Sequence, residues 1–338
     1  MLLLATDPAF EHHDTGPGHP ERARRLAAVL QAPEAAGVGD AIRLLEPREA
    51  TTAELGLVHP PDYLEVLERF CAAGGGDIDG DTRASAGSWR AGKLAAGAGL
   101  AAVEALRRGE GDAAFLAVRP PGHHALATRP MGFCLINNVA VVAANLAEQG
   151  ERVLVLDWDA HHGNGTEAIF WDDPRVLYVS THQYGGFYPG TGALDDVGGP
   201  GARGDTLNLP FPAGTTGDVY LRALDEVVTP AVEQFVPTWV LVSAGYDAHR
   251  ADPLTDLRLS AGDFADIARR VARFAPRSGR LVLFLEGGYD LDALTTSVGA
   301  TIAAVVDAPY RPEPATSGGP GAKVVDAARD QRARLNEL

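Results

Sequence analysis

Residues 153–166 read VLVLDWDAHHGNGT, and this stretch is the most informative part of the chain. Its opening run of valine and leucine is typical of a strand buried in a parallel sheet. The strand ends in two carboxylates, Asp157 and Asp159, and two imidazoles, His161 and His162. Open α/β sheets carry their chemistry at such strand ends. A solvated strand end before a capped helix is the alternative, but four ionisable groups beside a buried strand need partners.

Two side chains of this stretch can reach one cation. Asp159 and His161 share a face of an extended chain, because alternate residues point the same way. An oxygen and a nitrogen ligand of this kind suit zinc with an open coordination position. Asp247 offers a third ligand, since it follows another predicted strand in the run Ser-Ala-Gly-Tyr-Asp. The sequence therefore predicts a metal site where these strands end.

The composition limits the classes of function. The chain has 338 residues, 46% of them hydrophobic, and a net charge of −16. This charge argues against nucleic acid or another polyanion as a partner, and it is compatible with a cationic substrate. Cys71 and Cys134 are the only cysteines, so we expect no disulfide framework and a reducing, cytoplasmic compartment. We expect neither a signal peptide at residues 1–4 nor a membrane span.

Strands and helices alternate along the chain. Eight strands are predicted, at Leu2–Ala5, Ile42–Leu45, Ala114–Val118, Val153–Asp157, Val176–Ser180, Thr206–Leu209, Trp239–Ser243 and Leu281–Glu286. Helices are predicted between them, at Pro20–Ala36, Ser85–Arg108, Asn137–Gln149, Thr216–Phe235, Ser260–Phe274 and Asp290–Val306. This alternation predicts an α/β fold with one parallel sheet covered on both faces. We expect one domain over residues 1–308 and a C-terminal tail over 309–338, in which Pro309–Lys323 leaves the core.

Two further motifs lie at predicted strand ends. His123 and His124 follow Pro120-Pro121-Gly122, a stiff turn that can hold two imidazoles as a proton-transfer pair requires. Tyr289 follows Glu286-Gly287-Gly288, so it can swing on a mobile turn. The alternatives are structural histidines and a tyrosine packed in the core. Both motifs become informative because they occur together with the metal motif.

These four segments together resemble the histone deacetylase family, which has the arginase–deacetylase fold. The motifs are Arg-Pro-Pro-Gly-His-His at 119–124, Asp-Trp-Asp-Ala-His-His-Gly-Asn-Gly-Thr at 157–166, Ser-Ala-Gly-Tyr-Asp-Ala at 243–248 and Glu-Gly-Gly-Tyr at 286–289. Their order and spacing match from about residue 10 to residue 306. Asn164 stands where class I members carry Asp, which makes the chain similar to the class II and bacterial branch.

The resemblance implies a zinc-dependent deacetylase with a central eight-stranded, mostly parallel sheet and helices on both faces. Asp159, His161 and Asp247 match the zinc ligands. Two carboxylates and one imidazole leave room for water and a substrate carbonyl. Tyr289 matches the residue whose hydroxyl donates to the scissile carbonyl and to the oxyanion formed from it.

The resemblance also assigns different roles to the two adjacent histidines. His123 and His124 match the tandem catalytic pair. Asp157 matches the carboxylate partner of His123 and favours the imidazolium there. Asn164 matches the partner of His124, and a neutral amide stabilises a cation less, so His124 is better suited to act as the base.

The walls and rim of a narrow acyl-lysine channel are implied at five positions. Gly132 and Phe133 match one wall. Tyr188 matches the opposite wall, where Phe is common; two core aromatics are the alternative for this pair of walls. Asp81 resembles the rim carboxylate that holds substrate backbone amides, although a solvated loop acid would look the same. Leu254 stands where polyamine-specific class II relatives carry Glu.

Two structural potassium sites are implied as well, since oxygen ligands suit a hard monovalent ion. The inner site would use Asp157, Asp159, His161, Ser180 and Thr181. The outer site would use Phe170, Asp173 and Val176, mostly through backbone carbonyls.

We therefore expect a zinc-dependent amidohydrolase that removes an acetyl or related short acyl group from the side-chain amine of acyl-lysine. Its partner would be an acylated-lysine peptide or protein, or an acetylated small amine, and a homo-oligomer is left open. An acetylpolyamine amidohydrolase is the main alternative, because Glu21, Glu104 or a partner subunit could supply the acid that Leu254 lacks. A non-catalytic acyl-lysine binder and a two-metal ureohydrolase of the same fold are further alternatives; the latter needs more carboxylates near His161.

Overall fold

A computed structural model describes residues 1–336 of the chain. The described residues form ten strands: β1 (Leu2–Ala5), β2 (Ile42–Leu45), β3 (Gly75–Asp77), β4 (Arg83–Ser85), β5 (Ala113–Leu116), β6 (Val153–Asp157), β7 (Val176–Gln183), β8 (Thr206–Phe211), β9 (Trp239–Ala244) and β10 (Leu281–Leu285). They also form eleven α-helices: α1 (Arg24–Ala35), α2 (Thr52–Leu55), α3 (Pro61–Ala72), α4 (Ser88–Arg107), α5 (Asn138–Glu148), α6 (Asn164–Phe170), α7 (Gly217–Ala223), α8 (Thr229–Phe235), α9 (Ala261–Ala272), α10 (Leu291–Val305) and α11 (Ala322–Asn336).

Eight of these strands form one sheet, within the part of the chain that the structure describes. Its order is β2-β1-β5-β10-β9-β6-β7-β8, and every neighbouring pair is parallel. Every residue of β5, β6, β9 and β10 is buried, so helices cover both faces of these central strands. The predicted α/β fold and its eight-stranded sheet are confirmed.

The strand order explains where the chemistry gathers. The strands β9 and β10 come late in the chain, yet they lie in the middle of the sheet between β5 and β6. The carboxyl ends of β5, β10, β9 and β6 are therefore neighbours. Each of these four ends is followed by one of the four sequence motifs, so the fold brings together side chains more than 150 residues apart in the chain.

The helix α10 packs on both α1 and α9, whereas α4 packs on α5. These two groups of helices supply the layers beside the sheet. Across residues 1–336, no helix combines the length and the apolar character that crossing a membrane requires.

Several short elements were not predicted. The hairpin of β3 and β4 includes Gly75, where a Cβ would lie 2.3 Å from the carbonyl oxygen of Ala84, so the close strand pairing there requires glycine. The predicted helix over 216–235 is interrupted by a π-helical turn at Leu224–Val228. Pro230 has no N–H to continue the α-helical ladder, and the Thr229 hydroxyl donates to the Leu224 carbonyl at 2.8 Å.

No residue of Pro309–Lys323 is buried, so this segment leaves the core as expected, but its backbone is tied to the domain. The backbone N–H of Thr316 donates to the buried carboxylate of Asp263 at 3.0 Å, and the Ser260 hydroxyl donates to the Pro314 carbonyl at 2.7 Å. A buried carboxylate at the start of α9 needs such donors. Beyond this segment, α11 buries Val325 against the domain. The domain limit at residue 308 stays a prediction.

Candidate active site

Three side chains that follow β6 and β9 meet at the edge of the sheet. One ligand atom from each of Asp159, His161 and Asp247 lies within 4.8 Å of the other two. The Nδ1 atom of His161 is 2.9 Å from Asp247 Oδ2 and 3.2 Å from Asp159 Oδ1. Both carboxylates are fully buried. Two buried carboxylates and an imidazole nitrogen aimed between them form a set that could hold a cation.

The surrounding backbone shapes this group. The N–H of Gly287 donates to Asp159 Oδ2 at 2.7 Å, and the N–H of Ala160 donates to Asp247 Oδ1 at 2.8 Å. A Cβ at Gly245 would lie 2.0 Å from Asp159 Oδ2, and one at Gly287 would lie 2.3 Å from Asp247 Oδ2. Glycine is therefore required at both positions to leave the carboxylates where they are.

The charge of the two carboxylates favours a positive group beside them. Burial lowers the pKa of His161, but its hydrogen bonds to Asp159 and Asp247 outweigh this and raise the pKa to about 10. The ring of His161 also stacks on Phe187, with 4.8 Å between ring centroids. Phe187 was not predicted from the sequence as part of the site.

The two adjacent histidines after β5 lie beside this group with different partners. The Nδ1 atom of His123 is 3.0 Å from Asp157 Oδ2, and the Nδ1 atom of His124 is 2.8 Å from Asn164 Oδ1. The centroids of their rings are 4.0 Å apart, and the centroid of the His124 ring lies 5.9 Å from that of the His161 ring. The structure thus gives each histidine the partner that the resemblance implied.

These partners separate the protonation states of the two rings. Burial lowers the pKa of His123, but the charges of Asp157 and Asp159 more than offset it and raise the pKa to about 10. Burial lowers the pKa of His124 well below its usual value, and the neighbouring charges of His123 and His161 lower it further. At neutral pH His123 therefore carries a proton on both nitrogens, and His124 is neutral.

Tyr289 follows β10, so it lies at the same edge of the sheet as the two histidines and the metal-ligand candidates. Its ring is edge-on to Phe133, with 5.9 Å between centroids, and the guanidinium of Arg25 lies 5.0 Å from its ring centroid. Its backbone N–H donates to Asp252 Oδ2 at 2.7 Å. Burial raises the pKa of Tyr289 well above its usual value, so the phenol keeps its proton and can donate a hydrogen bond.

Aromatic side chains surround the approach to these groups. Phe133 has a φ of 69°, and a Cβ at Gly132 would lie 2.4 Å from the ring of His124, so only glycine fits there. Tyr188 is edge-on to His124 at 5.3 Å and is 38% exposed, which places it at the surface end of the group. The interpretation of these residues as two core aromatics is therefore wrong for Tyr188.

Two residues proposed for the rim lie on loops beside the aromatics. The Thr82 hydroxyl donates to Asp81 Oδ1 at 3.0 Å and accepts the N–H of Phe133 at 3.1 Å, which ties the Asp81 loop to the aromatic wall. Burial and the neighbouring Asp79 raise the pKa of Asp81. Leu254 is 37% exposed, and its N–H donates to Asp252 Oδ1 at 3.0 Å.

Residues 19–305 match the sequence model of the histone deacetylase domain. This chain belongs to the histone deacetylase family. It is 42% identical over 285 residues to a "Probable deacetylase" of Archaeoglobus fulgidus, covering 83% of this chain and 79% of that protein. It is 41% identical over 274 residues to the "Histone deacetylase-like amidohydrolase" of Pseudomonas aeruginosa, covering 80% and 71%. The crystal structure of the "HDA15 HD domain" aligns with a TM-score of 0.91 at 34% identity, covering 99% of this chain and 96% of that one.

Membership of this family makes the chain a hydrolase of the deacetylase type. The family acts on acetylated substrates and is generally metal-dependent.

Two acids that could have supplied a polyamine-binding carboxylate are engaged elsewhere in this deacetylase domain. Glu21 is fully buried and pairs with Arg25 and Arg119. Glu104 lies on α4 and pairs with Arg48 at 2.8 Å.

The residues implied for the inner potassium site lie at the carboxyl end of β6 and beside it on β7. Asp157 and Ser180 are register partners on these strands, and the Thr181 hydroxyl donates to the Asp157 carbonyl at 3.3 Å. The Ser180 hydroxyl is 2.9 Å from His182 Nδ1. The structure therefore brings these oxygens close to the backbone that carries the metal group.

The residues implied for the outer potassium site lie in the turn between α6 and β7. The N–H of Asp173 donates to the Phe170 carbonyl at 3.1 Å, and the N–H of Val176 donates to the Asp173 carbonyl at 3.2 Å. The carboxylate of Asp173 pairs with Arg175 at 2.8 Å, so this side chain already has a partner. An ion in this turn would therefore bind backbone carbonyl oxygens rather than this carboxylate.

The role of Glu286 in the site was not predicted from the sequence, although this residue begins the Glu-Gly-Gly-Tyr motif. Its carboxylate accepts the N–H of Gly122 at 2.7 Å and that of His123 at 3.3 Å, and the Ser243 hydroxyl donates to it at 3.1 Å. Burial raises its pKa to about 7. Glu286 is fully buried and holds the turn before the histidine pair. The signal in the sequence was an acid at the end of an apolar strand that was predicted to be buried.

Proposed function

We propose that this protein is a zinc-dependent amidohydrolase that removes an acetyl or related short acyl group from the side-chain amine of acyl-lysine. One observation carries the proposal. Three ligand atoms of Asp159, His161 and Asp247 cluster within 4.8 Å, and the base candidate His124 and the donor candidate Tyr289 lie beside them. This set supplies what hydrolysis of an amide needs: a cation site, a proton acceptor and an oxyanion donor.

Zinc fits the three ligands on their chemistry. Two carboxylates buried side by side repel each other unless a cation lies between them. A nitrogen and two oxygens leave a fourth position open, which is typical of a catalytic rather than a structural zinc. A zinc ion held there would polarise the substrate carbonyl and acidify the attacking water.

The two histidines divide the proton chemistry. His124 is neutral, so its Nε2 atom can take the proton of the attacking water and later give it to the amine that leaves. His123 stays charged between Asp157 and Asp159, and its positive charge stabilises the negative charge that develops on the substrate carbonyl oxygen. Exchanging the partners Asp157 and Asn164 would weaken this division.

Tyr289 completes the arrangement. Its phenol is protonated, its ring is held between Phe133 and Arg25, and its hydroxyl is the donor available to the carbonyl oxygen of the scissile amide. Such a donor acts most strongly in a site from which water is excluded. A single hydrogen bond of this type accounts for about 3–4 kcal/mol of the lowered barrier.

The rim favours acyl-lysine over an acetylated polyamine. A polyamine carries a second ammonium group beyond the acyl group, and Leu254 offers it no charge. Glu21 and Glu104 are engaged by arginines. Asp81, on the other hand, can accept the backbone amides of a peptide substrate at the rim.

We also propose potassium ions in the two sites named above, on the oxygen-rich backbone around Asp157, Ser180 and Thr181 and in the turn at Phe170, Asp173 and Val176. The inner ion would stabilise the strand ends that carry the zinc ligands, and the outer ion would stabilise the turn that leads into β7. A cytoplasmic location stays a prediction.

Two measurements on a matched pair of variants test the proposal. Asp247→Ala should lose both bound zinc and acetate release from an acetyl-lysine peptide, because it removes one ligand. Asp225→Ala changes an exposed acid that pairs with Arg270, and it should keep both. Full zinc content in Asp247→Ala, or two equivalents in the parent, would contradict the site.

The same preparation separates the alternatives. The parent should release acetate faster from an acetyl-lysine peptide than from acetylputrescine. A tenfold preference for acetylputrescine would replace the proposal with an acetylpolyamine amidohydrolase. Binding of the peptide with no acetate released would make the protein an acyl-lysine binder.

A further inference from the structure

The backbone of the turn that carries Tyr289 is held at separate points. Gly287 and Gly288 have no side chains to anchor it, and Gly288 has a φ of +117°. Arg25 donates through Nε to the Gly288 carbonyl at 2.7 Å, and through Nη2 to the Glu286 carbonyl. The N–H of Tyr289 itself donates to Asp252. The position of the phenol thus depends on groups outside its own turn.

Asp252 is placed to set that position, since each of its oxygens has a different partner. Its Oδ2 atom accepts the N–H of Tyr289 at 2.7 Å, and its Oδ1 atom accepts the N–H of Leu254 at 3.0 Å. The residue is 8% exposed. One buried carboxylate therefore joins the turn of the oxyanion donor to the loop that carries the rim residue.

The loop that carries Asp252 is itself held by the segment around Glu313, which lies beyond the residues that match the family model. The Nε2 atom of His249 lies 2.8 Å from Glu313 Oε2, and His249 Nδ1 accepts the N–H of Ala251 at 3.2 Å. The N–H of Asp252 donates to the His249 carbonyl at 2.8 Å. Glu313 also pairs with Arg250 and accepts the N–H of Ala261 at 2.7 Å, which anchors it to the start of α9.

We infer that Asp252 is a positioning residue for Tyr289, and that the His249–Glu313 pair extends this support into the C-terminal segment. The inference rests on the proposed function, because it concerns the hydroxyl that would meet the scissile carbonyl. Asp252 touches neither substrate nor metal in this account. It acts by fixing where the turn of Tyr289 stands, and a small misplacement of a reacting group can cost up to about 10²-fold in rate.

A double-mutant cycle tests this directly. Asp252→Ala should lower kcat on an acetyl-lysine peptide by about 10- to 10²-fold with KM little changed. In a Tyr289→Phe background the same substitution should change kcat by less than about twofold, since the group it positions is gone. Asp252→Asn keeps the size and one acceptor oxygen, so it should give a smaller loss with the same pattern and serves where the alanine variant does not fold.

A second substrate and a second site give independent readouts. A trifluoroacetyl-lysine peptide needs less help from an oxyanion donor, so the loss in Asp252→Ala should shrink on it. Glu313→Ala should lose activity several-fold with the same dependence on Tyr289. Its matched control is Glu151→Ala. Glu151 is about as exposed as Glu313 and also pairs with two basic side chains, Arg107 and Arg280, but it lies at the opposite ends of the strands. Metal content and thermal unfolding are measured for every variant.

The outcomes separate this inference from the proposed function. Equal losses on both substrates, an undiminished loss in the Tyr289→Phe background, or loss of the metal from Asp252→Ala would each overturn the positioning role alone. A parent protein that releases no acetate from either substrate would overturn the proposed function and this inference with it. An active parent with a non-additive cycle supports both.

Discussion

Tyr289→Phe removes one hydroxyl and leaves the ring. The ring keeps its edge-on packing on Phe133 and its contact with Arg25, and the backbone N–H keeps its bond to Asp252. We therefore expect the fold and the metal content to stay as they are. The pKa of the phenol is raised well above its usual value by burial, so the group lost is a neutral hydrogen-bond donor rather than a charge.

The expected loss follows from that single donor. Removing one donor to an oxyanion in a water-excluded site costs about 3–4 kcal/mol, which lowers kcat by about 10²–10³-fold on an unactivated acetyl-lysine peptide. KM should change little, because the ground-state carbonyl gains less from the donor than the oxyanion does. Steady-state acetate release and metal analysis of parent and variant measure both effects. A variant that turns over at nearly the parent rate would refute the reasoning and leave Tyr289 as a packing residue.

Three further substitutions have defined outcomes. Leu254→Glu should raise kcat/KM for an acetylpolyamine relative to an acetyl-lysine peptide by about fivefold, since an ion pair at this partly exposed position contributes at most about 1 kcal/mol; an unchanged ratio would remove Leu254 from the rim. Gly245→Ala puts a Cβ 2.0 Å from Asp159 Oδ2 and should release most of the bound metal from a folded protein, as metal analysis and circular dichroism would show; full metal content would contradict the packing. Glu21→Gln breaks a buried ion pair and should lower the free energy of unfolding at pH 7 by about 3–5 kcal/mol in urea titrations. Arg119 and other partners hold the folded pKa of Glu21 well below 4.5 despite burial, so its contribution is present above pH 4.5 and the gap to the parent should narrow as pH falls below it; a gap that widens would refute the sign.

The sequence was most informative where one feature determined the structure locally. The runs from Val153 and from Trp239 are apolar and end in chemically distinctive residues, so both the strands and the positions of their functional side chains could be predicted. Asp159, His161 and Asp247 were found in this way, and the structure brings them together as expected. The alternation of elements was enough to predict the parallel sheet.

What could not be predicted depends on contacts between distant segments. Nothing in the local pattern shows that β9 and β10 insert between β5 and β6, because strand order is a property of the packed sheet. Asp252 and Glu313 read as loop acids in sequence, and their roles come from N–H groups 37 and 52 residues away. The segment after residue 308 looked like a tail because Pro, Gly and Ser dominate it, although its backbone supplies partners to Ser260 and Asp263.

The central claim is that one zinc ion per chain, held by Asp159, His161 and Asp247, enables release of acetate from acyl-lysine. The most direct test is to strip the protein of metal with a chelator and titrate zinc back while measuring acetate released from an acetyl-lysine peptide. The account predicts no release without metal, and activity that rises in proportion to zinc and saturates at one equivalent per chain. Full activity in the stripped protein, saturation only at two equivalents, or no release from the folded, zinc-loaded protein would contradict it.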